Sequence, residues 1–71
     1  MKTEDTIREH FKLLRAAQHQ AFADYHANVL YGYLKALRET NQIEAKLYLR
    51  LHHALTKAWS LKLRINMRTA A

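Results

Sequence analysis

Apolar residues recur through the first half of the chain at steps of four and three: Ile7, Phe11, Leu14, Phe22, Tyr25, Val29, Gly32 and Ala36, with Gln18 completing the series. Residues so spaced share one face of a helix, which predicts a helix over about 6–38, its seam widened by Ala21 and Tyr33. Thr3 or Thr6 can cap its start, Glu4 and Asp5 suit the positive end of the macrodipole, and Thr6-Ile7-Arg8-Glu9 fits a capping box. The cluster Glu39-Thr40-Asn41-Gln42 then predicts a turn over about 39–42. Asn41-Gln42-Ile43-Glu44 repeats the capping pattern and opens a second helix over about 42–67. Its seam is Ile43, Leu47, Leu51, Ala54, Ala58, Leu61 and Ile65, broadened by Tyr48, Leu55 and Trp59. Beyond Met67 the pattern fades, and fraying is expected there.

The lengths of these helices set the expected architecture. At a rise of ~1.5 Å per residue they measure ~50 Å and ~39 Å, whereas a compact chain of this size has a radius of gyration of ~11 Å. Two helices offer each other only one narrow line of contact and cannot cover two wide apolar stripes. The expectation is therefore a single all-α domain over 1–71, a long antiparallel helical hairpin that pairs with a second copy as a homodimeric four-helix bundle. Ile7, Phe11, Leu14, Phe22, Tyr25, Val29, Leu47, Leu51, Leu55 and Ala58 would form its core and dimer contacts. Gly32, costing ~1 kcal/mol against Ala in a helix, is the place where a kink would turn two helices into three.

Composition narrows the choice of chemistry. The chain has 71 residues, no Cys, no Pro and one Gly, so disulfides, thiolate catalysis and Cys-ligated zinc are out, and a turn-rich β fold is disfavoured. Acidic residues stand where a secretory signal would need an apolar stretch, and the longest uncharged stretch, Tyr25 to Leu34, is half a membrane span. A cytoplasmic protein without integral membrane association is expected.

Charge placement says more than net charge. Residues 1–44 hold six cations and six acids, while residues 45–71 hold Lys46, Arg50, Lys57, Lys62, Arg64 and Arg68 with no acid, so the whole +6 lies in the second helix. At ~100° per residue, Lys46, Arg50, His53, Lys57, Arg64 and Arg68 fall within an arc of ~60° opposite the apolar face. This row, ~33 Å long at ~1.5 Å per residue, suits a phosphate backbone. A weaker row, Arg8, Lys12, Arg15, His19 and His26, follows the first helix. The favoured expectation is a non-catalytic regulatory or accessory protein that docks electrostatically on nucleic acid.

Another class of function also fits. Tyr48 and Trp59 edge the second apolar face, Tyr31 lies off the first seam, and Tyr, Trp and Arg are common interface anchors. Tyr31, Tyr48, Arg50 and Trp59 would then contact an acidic partner protein, and the chain would act as a small inhibitor or adaptor of the kind mobile elements carry. A third reading lays the basic second helix on an anionic membrane surface through Trp59, Leu61 and Leu63, but a capped, packed hairpin competes with it. No metal or cofactor is expected, because His19 and His26 are ~10.5 Å apart along the helix and His52 and His53 diverge by ~100°. Catalysis is not expected either: Ser60 is the single Ser and no carboxylate is placed to orient a neighbouring His.

Overall fold

The computed structural model describes residues 3–70, with side chains as far as Arg68. It contains three α-helices, α1 (Thr3–Ala16), α2 (Gln20–Glu39) and α3 (Ala45–Ala70), and no strand among the described residues. The expected helix over 6–38 is thus two helices, and the break lies at 17–19 rather than at Gly32. α2 continues through Gly32, whose missing Cβ would meet nothing within 4 Å. At the break Ala17 N reaches Leu14 O at 3.4 Å, His19 takes an extended conformation (φ −116°, ψ 139°), and its carbonyl accepts from Phe22 N and Ala23 N. The chain folds back here. His10 and His26 would lie ~24 Å apart along a continuous helix, yet their rings are 6.1 Å apart.

No Gly or Pro forces this turn, and the reason for it is tertiary. Residues 20–39 carry two stripes at steps of four and three. One is Phe22, Tyr25, Val29, Gly32 and Ala36; the other is Ala23, Ala27, Leu30, Leu34 and Leu37. A single long helix would have only α3 to cover it. Breaking it brings α1 back as a second cover, so Ile7, Phe11 and Leu14 close over the leucine stripe together with Ala17 and Leu55. Burial of Leu30, Leu34 and Leu37 at ~1.5–3 kcal/mol each outweighs the few helix hydrogen bonds surrendered, at ~1 kcal/mol each. Phe22 and Tyr25, expected in the core, consequently lie outside it at 59% and 61% exposure. Leu47 is likewise 41% exposed, while Val29, Leu51 and Ala58 are partly buried.

The connection between α2 and α3 also corrects the expected capping. Asn41 has φ 59° and does not begin the next helix. It ends α2, with Asn41 N donating to Arg38 O at 3.1 Å and Gln42 N donating to Leu37 O at 2.8 Å. These two bonds form a Schellman motif, in which a residue must enter the left-handed region that Asn tolerates better than most. Arg38 Nη1 donates to Asn41 Oδ1 at 3.3 Å and holds it there. α3 starts at Ala45, after Glu44, and continues to Ala70 where fraying from Arg68 was expected; Ala71 lies outside the described residues. At the other end α1 begins at Thr3 with Glu4 and Asp5 in its first turn, which places Thr6 inside the helix rather than at its cap.

Successive contacts pair Gln20 with Asn66, Asp24 with Trp59 and Tyr31 with His52, so α2 and α3 run in opposite directions. The body measures 43 × 23 × 14 Å with a radius of gyration of 12.7 Å, more elongated than the ~11 Å of a compact chain of this length. The fold-back removes the ~50 Å helix from which dimerisation was reasoned, because one chain now supplies a second cover for its own stripe.

Candidate nucleic-acid interface

α3 is exposed along most of its circumference, and the packing of two faces fixes where its charges go. Toward α2 it turns Tyr48, His52, Leu55, Trp59, Lys62 and Asn66, again at steps of four and three, with Leu55 fully buried. Polar atoms on this face find partners. Trp59 Nε1 donates to Asp24 Oδ1 at 2.8 Å, Gln20 Nε2 donates to the same oxygen at 2.7 Å, and Asn66 Nδ2 donates to Gln20 Oε1 at 3.0 Å. Lys62 Nζ donates to Arg15 O at 3.0 Å, capping the end of α1 and standing apart from the other cations.

The six residues of the proposed row, Lys46, Arg50, His53, Lys57, Arg64 and Arg68, are all exposed. They lie opposite Leu55, as their ~100° steps require on a continuous helix, and their span of ~33 Å is unbroken. His53 and Lys57 also edge a shallow depression of about 370 Å³ lined by Leu49, His52, Thr56 and Ser60. Thr56 is committed locally, its hydroxyl donating to His52 O at 3.0 Å.

The second, weaker row does not stay together. Arg8, Lys12 and Arg15 are exposed on α1, with the Arg15 guanidinium 5.5 Å from the centre of the Phe11 ring, but the break puts His19 in the turn and His26 in α2 against His10. His10 Nδ1 and His26 Nδ1 are both buried without a hydrogen-bond partner. Among the described residues no group of three or more His, Asp or Glu is arranged to hold a metal ion, and no helix is long and apolar enough to cross a membrane.

The aromatic edge proposed for a partner protein is largely turned inward. Trp59 and Tyr48 are partly buried and packed against the core, Trp59 fixed through Asp24. Tyr31 is exposed and meets His52 at 5.0 Å between ring centres, and Arg50 is exposed. The spacing of the aromatics does not reveal the Asp24–Trp59 bond. Two signals were available for it: an indole N–H has no use but to donate, and Asp24 is the one acid between Glu9 and Glu39. No protein-family model matches this chain, and no curated protein or solved structure matches it either.

Proposed function

We propose that this small basic three-helix protein binds nucleic acid without catalysis, in a regulatory or accessory capacity, by laying the outer face of α3 along the phosphate backbone. The observation that carries this reading is the exposure of six in-line cationic or His side chains on a helix that contains no acid. The row faces away from the core, so binding requires no rearrangement of the fold. Such a contact is electrostatic and indifferent to sequence, because phosphates position a protein while base edges specify it. A single copy suffices for it. The homodimeric bundle expected from the sequence is a separate proposal, and sedimentation tests it directly: 8.4 kDa for one copy, twice that for two.

The test is fluorescence anisotropy on a random-sequence duplex and on a single strand across a salt series. If all five permanently charged members of the row touch phosphates, log K falls against log salt with a slope near about −4.5. Replacing Lys57 and Arg64 by Gln should flatten the slope by about two and leave the melting temperature unchanged. Binding that is absent at low salt, or that ignores salt, would remove the proposal.

A further inference from the structure

α3 carries two adjacent helical seams, and it gives α2 the less aliphatic one. The other seam is Leu47, Leu51, Ala54, Ala58, Leu61 and Ile65, a repeat of 3.5 residues in which Leu51 and Ala58 are partly buried against the core and the other four are exposed. Leu47 and Leu61 are 41% and 55% exposed, and Ile65 is also exposed. At its upstream end Leu47 and Leu51 join Ile7 and Phe11 of α1 and Ile43 in a groove of about 580 Å³. Arg8 and Arg15, with Glu4 as the one acid, stand along the α1 side of this groove. Along the other side four of the six seam residues have a cation three places on: Leu47 with Arg50, Ala54 with Lys57, Leu61 with Arg64, Ile65 with Arg68. Residues three apart are surface neighbours, so cations border the seam along one side and, at its upstream end, on both.

We infer that this seam docks an amphipathic helix of another protein whose aliphatic stripe is bordered by Asp or Glu. In heptad terms Arg50, Lys57 and Arg64 occupy the flanking positions whose charges choose the partner. A second α3 laid in the seam meets these cations with no acid in either orientation, because residues 45–71 contain none. Like charges across an interface select against a partner, and opposite charges select for it, so charge complementarity favours an acidic helix over a second copy. The inference stands independently of nucleic-acid binding, although the two share three cations and the acidic helix should compete with a duplex.

The probe is a synthetic 28-residue peptide with Leu at both seam positions of each heptad and Glu at both flanking positions. Three further measurements accompany it: the same peptide with Lys for Glu, a scrambled peptide of the acidic composition, and sedimentation of the protein alone. The acidic peptide is expected to bind at least tenfold tighter than either control. Leu47→Gln with Leu61→Gln should abolish that difference while leaving the duplex affinity and the far-ultraviolet circular dichroism unchanged. Equal binding of the acidic and scrambled peptides would overturn the inference. So would a dimer of the free protein that the same double substitution dissociates, since a second copy would then own the seam.

Discussion

Gly32 sits in the middle of α2 with open space where its Cβ would be, and its backbone is helical. Nothing in the fold needs a glycine there. Gly32→Ala should therefore stabilise the protein by about 1 kcal/mol, seen as a rise of several degrees in Tm for a domain of this size. Asn41 is the opposite case, because its φ of 59° is a conformation that β-branched residues resist. Asn41→Val is expected to cost about 1–2 kcal/mol in chemical denaturation, and Asn41→Gly should cost nothing or gain slightly. Asp24 accepts from both Trp59 and Gln20, so Trp59→Phe removes one donor from a partly buried carboxylate without removing the ring. A loss of about 1.5–3 kcal/mol should follow. Gly32 as a weak helix former and Asn41 as a turn residue were readable from the chain; the left-handed backbone of Asn41 and the pairing of Asp24 with Trp59 come from the folded structure.

At the scale of the elements, the decisive event is the phase of α2. Residues 20–39 are apolar on two flanks, and periodicity scores both stripes alike. The aromatic stripe continues the spacing of Ile7, Phe11 and Leu14, which is why a continuous helix looks correct on the sequence alone. The leucine stripe wins once α1 folds back, since Leu30 and Leu34 reach complete burial while Phe22 and Tyr25 pass to the outside. A pair of substitutions separates the two phases. Leu34→Ala should cost about 2–5 kcal/mol and Phe22→Ala no more than about 0.5 kcal/mol, measured by denaturant unfolding. The reverse order would restore the uninterrupted first helix. α3 poses the same ambiguity, and there the seam beginning at Tyr48 faces α2 while the seam beginning at Leu47 is covered only at Leu51 and Ala58. The six cationic or His positions of α3 lie opposite the buried Leu55, so they are exposed whichever seam packs on α2.

Among the described residues, ten mostly small or aliphatic side chains form the core of a body only 14 Å thick in its shortest dimension. Stability rests on few contacts, so losses at Leu55 or Leu14 should abolish cooperative unfolding rather than merely shift it. The net charge of +6 is carried by the helix on which the inner seam is polar and the outer seam aliphatic. That combination gives α3 a face packed on α2, an exposed cationic side opposite it, and a more aliphatic seam between the two.

The chain's own pattern determined that this protein is helical, that a turn follows residue 39, and that its excess positive charge lies on the last helix, most of it in one line. These are local properties: helical periodicity, turn chemistry and angular position act within a few residues, so the order of residues is enough. Where the first helix breaks, which of two equivalent stripes is buried, and which seam of α3 remains open were decided in three dimensions. Each is a choice between burying one apolar flank and another, and the free energy of that choice exists only when a second helix is there to cover it.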